Sequence, residues 1–444
     1  MKPFSFYLIT DTHYFEKELG AEGTAFEYYM SREQYFMKES SAIIESVFNS
    51  VAEDKETDIV LIPGDLTKNG ELESHKSFVK ALYRLKEKGK KIFVITAGHD
   101  YGDDAFAFRN DERISVEGAP FETLHELYKD FGYGDAIAFD EPTHSYVAEI
   151  CDGVRMLGIC CDSLNQPKGA MDNRLLGWTK EQFDKAKADN CYVFAICHYP
   201  VIPPVPVFDL VGDTKVKEWR KVASFLADNG VEFIMTGHMH IQSINEFYSE
   251  KGNRLIDVCT SCLVGSPAKY RKITINENAV MNVRSVDVGN FGIDMNGLSA
   301  QEHFDTQFRQ AILGKIFHAL KGGKGFSKVL KQGVIKMIKN MTVGQLAHLL
   351  LFRVDKHLGK KKLAEFISEI GISIFKGDQP YVDGTPEYKL ISSFLRRFSF
   401  VLKKVEPKLS KNGIKINLEE MLLGTIGNNK KFSDNNAEFH LKGE

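Results

Sequence analysis

No run approaching about 18 apolar residues occurs in the chain, so the usual signature of a membrane-spanning helix is missing. Met1–Thr10 lacks the long apolar stretch and small-residue cleavage site of a secretory leader. Cysteine is scarce. There are seven, an odd number without metal-type spacing; Cys160 and Cys161 are adjacent, and Cys151, Cys191, Cys197, Cys259 and Cys262 sit mostly in apolar runs. This argues against a disulfide framework and for reduced, buried thiols in a cytoplasmic protein. An excess of one charge is missing as well. Lys+Arg number 57 against 60 Asp+Glu, a net −3, and no stable nucleic-acid partner is expected. Internal repeats and low-complexity tracts are absent.

The chain has the composition of a globular protein, 43% hydrophobic and 26% charged over 444 residues, long enough for two or three domains with full cores. Its charge is unevenly spread. Residues 1–300 carry 32 Lys+Arg against 46 Asp+Glu, and residues 301–444 carry 25 against 14. That split predicts two modules with different surfaces.

The first 290 residues or so alternate short apolar runs with helical patterns, an α/β signature. The runs are Phe4–Thr10, Ile59–Pro63, Ile92–Ala97, Ser145–Ile150, Met156–Cys160, Tyr192–Cys197, Phe233–Thr236 and Leu255–Cys259. Helical patterns cover Ser31–Ala52, Glu73–Lys88 and Lys180–Ala188, the last with a capping-box pattern of Thr179 and Gln182. Arg271–Ile275 and Val280–Val286 alternate around Asn276-Glu277-Asn278, which predicts a hairpin. Residues 288–300 are rich in Gly and Asn and read as a linker. The chain beyond them is helical in pattern, with Ile312, Ile316, Phe317 and Leu320 at 3.6-residue spacing.

Five short segments carry chemistry: Asp11-Thr12-His13, Gly64-Asp65, Gly98-His99-Asp100, His198 and Gly237-His238-Met239-His240. Each lies at or just beyond an apolar run. In an α/β sheet the carboxyl ends of strands form the ligand-binding edge, so carboxylates and imidazoles are delivered to one rim. Any single segment is more often a hydrogen-bonded loop than a ligand; the ordered set is what signals a site.

That ordered set resembles the calcineurin-like metallophosphoesterase superfamily, whose pattern is Asp-x-His, Gly-Asp, Gly-Asn-His-Asp/Glu, His and Gly-His-x-His. The resemblance covers roughly residues 3–290. It implies a sandwich of two mixed β-sheets flanked by helices, spanning 1–290, with two divalent metal ions at the strand ends. Residues 301–444 then form a basic, all-α C-terminal domain. Carried over by position, Asp11, His13 and His240 would hold one metal. Asp65 would bridge to a second, held also by His198 and His238. His99 would be catalytic, oriented by Asp100. Mixed carboxylate and imidazole ligands suit Mn, Fe or Zn, and two such ions can hold a bridging hydroxide at neutral pH.

The departure is Gly98, where the pattern expects Asn. The second metal then loses a neutral oxygen ligand and is expected to be weaker, although a glycine there could also serve a positive-φ turn. Nearby Asp103 and Asp104 are candidate substitutes. The stretch Gly64–Gly70 lacks the arginine that protein phosphatases of the superfamily carry after this Asp. Together with Arg174–Gln182 and the helical C-terminal domain, the layout resembles bacterial class III cyclic-nucleotide phosphodiesterases. The leading expectation is therefore hydrolysis of a small phosphoester, a cyclic or diester nucleotide. The alternatives are a phosphomonoesterase or lipid-pyrophosphate hydrolase, or a non-catalytic metal- or nucleotide-binding protein. The insert from Tyr14 to Tyr35, with Phe15, Phe26, Tyr28 and Tyr29, either packs beneath a helix or stacks a base. From Arg309 to Lys376 there are 14 Lys+Arg against three acids, a helical cap with solvated lysines or a surface for anionic lipid.

Overall fold

The computed structural model describes residues 2–102, 104–164, 167–322, 328–410 and 415–442. Two mixed sheets stack face to face. One has six strands in the spatial order Asn436–His440, Val280–Asp287, Lys269–Ile275, Phe4–Leu8, Ile59–Pro63, Lys91–Ile95. The other has seven, in the order Ser243–Tyr248, Arg254–Cys259, Phe233–Thr236, Tyr192–Cys197, Val154–Ile159, Ser145–Cys151, Ala136–Asp140. Phe4–Leu8, Ile59–Pro63 and Lys91–Ile95 run parallel in the first sheet. Arg254–Cys259, Phe233–Thr236, Tyr192–Cys197 and Val154–Ile159 do so in the second, with the near-continuous apolar runs of strands buried on both faces. Ile59–Pro63 is buried at every position.

The core lies between the sheets. Phe6 stacks on Phe194 at 5.4 Å between ring centroids, and Phe194 on Phe233 at 4.9 Å. Helices cover the outer faces. Leu72–Glu87 buries Phe78, Ala81, Leu82 and Leu85 on one stripe. On the far side, Asn173–Ala188 and Trp219–Asp228 pack Leu175, Phe183, Val222 and Leu226 against the second sheet.

Several expectations are revised. Asn173–Ala188 begins before Thr179; its cap is Asp172, whose carboxylate accepts the Leu175 N–H at 2.8 Å, and Thr179 is buried mid-helix. The predicted Ser31–Ala52 helix starts only at Ser40, as Ser40–Glu53, and a separate short helix, Thr24–Met30, precedes the predicted stretch. Between them the chain is drawn into extended pairing, with Phe36 N–H donating to the Val264 carbonyl at 2.8 Å. The Gly- and Asn-rich linker is anchored, because Val288, Phe291 and Met295 are buried in the sandwich core.

Among the described residues, the elements from residue 300 through Leu418–Ile426 are all helices. The chain then departs from the all-α expectation, since Asn436–His440 returns to pair antiparallel with Val280–Asp287. The helices rest on the sandwich. Phe304 packs against Phe36 and Phe291, and the Phe375 carbonyl accepts the N–H of Gln242, two residues beyond His240. Part of the basic charge is internal to this packing, as in the pairs Lys361–Glu369 and Lys376–Asp305. Among the described residues no helix is long and apolar enough to cross a membrane. The seven cysteines are free thiols.

Candidate metal centre

The predicted site residues arrive at one rim from separate strand ends. Asp11 and His13 follow Phe4–Leu8, Asp65 follows Ile59–Pro63, His198 follows Tyr192–Cys197, and His238 and His240 follow Phe233–Thr236. Five of these six have left-handed backbone: Asp11, His13, Asp65, His238 and His240, with φ between 39° and 66°. Non-glycine residues pay of order 1 kcal/mol for such conformations, which persist where surrounding structure over-determines them. Here the left-handed turn ends each strand and swings the side chain inward. Gly237 serves a different need, because a Cβ there would overlap Thr10 Oγ1 and Asp11 Oδ2. Its absence lets the loop come close enough for the His238 N–H to donate to Asp11 at 3.0 Å.

Six potential donor atoms converge. His240 Nε2 is 3.2 Å from Asp11 Oδ1 and 3.2 Å from His13 Nε2. His13 Nε2 is 3.8 Å from Asp65 Oδ2, which in turn lies 3.1 Å from His198 Nε2. His238 Nδ1 faces His198 Nε2 at 3.2 Å. Asp65 thus stands between two sets, Asp11–His13–Asp65 and Asp65–His198–His238, each with mutually close ligand atoms.

This donor set fits a pair of divalent cations. The outer ring nitrogens of three histidines have oxygen acceptors: His198 Nδ1 to the Pro63 carbonyl (3.0 Å), His238 Nε2 to the Asp213 carbonyl (2.7 Å), and His240 Nδ1 to Gln34 Oε1 (3.3 Å). Donation outward fixes each tautomer and leaves a lone pair facing the centre, as in metal-ligating imidazoles. Pairs of ring nitrogens at 3.2 Å cannot both present lone pairs to each other at rest. A cation or a proton has to stand between them.

The electrostatics say the same. Burial alone would lower the His198 pKa, but the Asp65 carboxylate beside it, with Asp11 beyond, carries it up to about 10. Burial would raise Asp65, yet the facing imidazoles hold it well below the usual carboxylate range. Burial pushes His13 well down and His238 down to about 4. Without metal, one proton on His198 balances Asp65, in the position a cation would take.

The loop after Lys91–Ile95 differs from the expectation in one respect. Asp100 does not touch the His99 ring. Its carboxylate accepts the backbone N–H of Thr67 and of Ala97, both at 2.9 Å, so it ties the loop to the Asp65 loop. Burial, then the Asp65 charge, push it up to about 8 despite those donors. The His99 partner is Asn69, with Nδ1 and Oδ1 3.1 Å apart. The Asn69 amide is itself fixed, since its Nδ2 donates to the Asp104 carbonyl at 3.3 Å and its Oδ1 accepts from Lys68 Nζ at 3.4 Å. Asn69 sits in the stretch after Gly64-Asp65 and carries no motif of its own. Position in that loop was the available signal.

Behind the loop, His75 Nε2 donates to the Asp100 carbonyl at 2.8 Å and His75 Nδ1 faces Tyr128 Oη at 2.7 Å. Burial lowers its pKa to about 4. A folded-state pKa below the unfolded value near 6.5 means the unfolded chain binds the proton more readily. Stability from neutral His75 is therefore full above about pH 6.5 and drains as pH falls toward about 4. His75→Gln is expected to flatten the slope of unfolding free energy against pH in that window by up to about one proton, or 1.4 kcal/mol per pH unit. Urea denaturation at several pH values checks this; an unchanged slope would refute it.

Residues 4–242 match the sequence profile of the calcineurin-like phosphoesterase family. No curated protein sequence matches the chain. Among solved structures, a dimetal phosphatase from Danio rerio is 12% identical with TM-score 0.45, covering 64% of this chain and 97% of that one. A purple acid phosphatase from yellow lupin is 12% identical with TM-score 0.41, covering 65% of this chain and 52% of that one. A putative 5'-nucleotidase from Staphylococcus aureus is 12% identical with TM-score 0.39, covering 69% of this chain and 58% of that one.

Proposed function

The chain belongs to the calcineurin-like phosphoesterase family, and from that premise we propose that it hydrolyses a small phosphodiester, a cyclic or linear nucleotide, with two divalent metals. Asp11, His13, Asp65 and His240 would hold one ion, and Asp65, His198 and His238 the other. When bound, such ions supply Lewis acidity toward phosphate oxygens and toward water.

The chain's own groups supply the rest. His99 Nδ1 donates to Asn69 Oδ1, so Nε2 carries a proton only in the imidazolium form. Burial lowers the His99 pKa, and that form, filled at low pH, is the one that would protonate the departing ester oxygen as water adds to phosphorus and the P–O bond breaks. The observation that favours a diester is Lys68. It is 3% exposed, and its hydrogen bond is to the neutral Asn69 Oδ1, with no ion pair to a carboxylate among the described residues. Its Nζ lies over the Tyr35 ring at 4.8 Å, and Tyr35 in turn packs on His13 at 4.4 Å between centroids. A buried cation without an acid partner suits an anion from outside, and a single lysine matches the single charge of a diester. The insert from Tyr14 to Tyr35 mostly packs: Phe15, Phe26 and Tyr29 meet Phe106 and Phe108. The Tyr35 ring is likewise taken up, by Lys68, His13 and His240, so base stacking is not a role of this insert.

The test is a comparison of bis-(p-nitrophenyl) phosphate, p-nitrophenyl phosphate and cyclic nucleotides, using protein loaded with Mn²⁺, Fe²⁺ or Zn²⁺. The diester is expected to exceed the monoester in kcat/KM by about tenfold or more, a difference of 1.4 kcal/mol at the transition state. A monoester preference would overturn the diester reading, and inactivity with every metal on every substrate would overturn the enzyme.

A further inference from the structure

Gly98 is the position where the motif has lost its oxygen ligand, and the structure shows what occupies that space. A Cβ built on Gly98 would overlap Asp162 Oδ2 and stand 3.3 Å from Asp162 Cγ. Gly98 is not among the positive-φ glycines, so the turn does not require a glycine. The room does. A side chain at position 98 would have to displace the Asp162 carboxylate from where it stands.

Asp162 arrives from a different strand end. It lies three residues beyond Ile159, whose strand neighbour in register is Cys197, the residue before His198. It is 5% exposed, and its Oδ1 has no hydrogen-bond partner among the described residues. Its own backbone carbonyl accepts the Tyr101 hydroxyl, which fixes the segment against the loop that carries Gly98. The next residue, Ser163, is also buried, and its hydroxyl has no hydrogen-bond partner among the described residues. A buried carboxylate oxygen without a donor costs several kcal/mol unless a cation compensates it. Asp104, offered by the sequence as a substitute, is exposed, and its recorded contact here is through its backbone carbonyl. Asp103 lies outside the described residues.

We infer that Asp162 supplies the oxygen ligand of the second metal that the motif otherwise takes from position 98. The ligand has moved from a strand end of the six-stranded sheet to one of the seven-stranded sheet, and glycine at 98 is the vacancy that admits it. The second set, Asp65–His198–His238 at rest, becomes Asp65, Asp162, His198 and His238 once the Asp162 carboxylate turns onto the ion. It is anionic where an asparagine would be neutral, so the second ion is held firmly rather than loosely. The inference rests on the dinuclear reading of the site.

The test reads binding, not turnover. Mn²⁺ stoichiometry and affinity are measured by equilibrium dialysis, and Co²⁺ ligand-field absorption reports the coordination shell. Wild type is expected to bind two ions. Asp162→Ala should retain one, with the second weakened by more than about 100-fold, beyond the usual effect of an outer-sphere contact. Asp162→Asn keeps an oxygen that can meet the metal and the loop, so it should fold normally and weaken the second site less. Gly98→Asn alone should gain nothing, because Asp162 fills its space. Gly98→Asn combined with Asp162→Ala should recover two tightly bound ions and the wild-type Co²⁺ spectrum. Two ions bound with wild-type affinity by both Asp162→Ala and Asp162→Asn would overturn the inference and leave the dinuclear centre standing. Wild type that binds no ion would overturn the dinuclear reading itself.

Discussion

Asp65→Asn is expected to yield a folded protein that binds one metal instead of two and turns over at least about 10³-fold more slowly, a loss of roughly 4 kcal/mol. The substitution is nearly isosteric, so packing changes little. Charge changes a great deal. Asp65 Oδ2 lies 3.1 Å from His198 Nε2 and 3.8 Å from His13 Nε2, the only carboxylate that belongs to both ligand sets. Two dications held side by side repel each other strongly in a buried site, and an amide cannot offset that repulsion. Asp65 Oδ1 also accepts the His99 N–H at 3.3 Å, so the loss extends to the placement of His99. A second consequence is independent of metal. With its partner neutral, His198 should lose the proton it holds up to about pH 10, and imidazole NMR titration of the metal-free protein should show it neutral near pH 7. Retention of two ions and of a rate within tenfold of wild type would refute the bridging role.

The second large effect is expected at His99. His99→Asn should lower kcat by about 10²–10⁴-fold with both metal sites intact, because His99 belongs to neither ligand set. The diagnostic is the leaving group. p-Nitrophenolate departs without protonation, so its esters should lose little, whereas alkyl and nucleoside esters should lose the full factor. Asn69→Ala should follow the same pattern with a smaller loss, since it frees the ring without removing it. A uniform loss across leaving groups would make His99 a phosphate-binding group and not an acid.

The parallel strands are legible because they are apolar on both faces. Ile59–Pro63, Tyr192–Cys197 and Phe233–Thr236 form strands at the bounds their composition predicts. The edges are less legible. Ala136–Asp140 and Ser243–Tyr248 are half-exposed and carry mixed residues, so neither strict alternation nor a continuous run marks them. The Thr179–Gln182 pattern misleads because a capping box is a local motif, whereas the helix start is set by Asp172 and the packing of Leu175 and Leu176. At the candidate site, the residues that converge from compact motifs, such as Asp11-Thr12-His13 and Gly237-His238-Met239-His240, are evident from local spacing. Asp162 is not, because its pairing with Gly98 joins two strand ends about 60 residues apart, and no local spacing encodes it. Asn69 and Asp100 show the same limit at short range: the residues are evident, but which of them meets the imidazole depends on loop geometry.

The return of Asn436–His440 to the six-stranded sheet changes what kind of object the helical region is. Lys269–Ile275, Val280–Asp287 and Asn436–His440 form a three-stranded meander, and all the helices from Ala300 to Ile426 hang between its second and third strands. The region is an insertion and not an appendage. Both of its ends are sewn into the same sheet, with Phe439 and Leu441 in the sandwich core, so it cannot swing away on a single tether. Cutting the chain after the second strand would strip an edge from the sandwich, and would confuse the fate of the sheet with that of the helices. Excising the helices and closing the meander with a short turn is the operation that respects the topology.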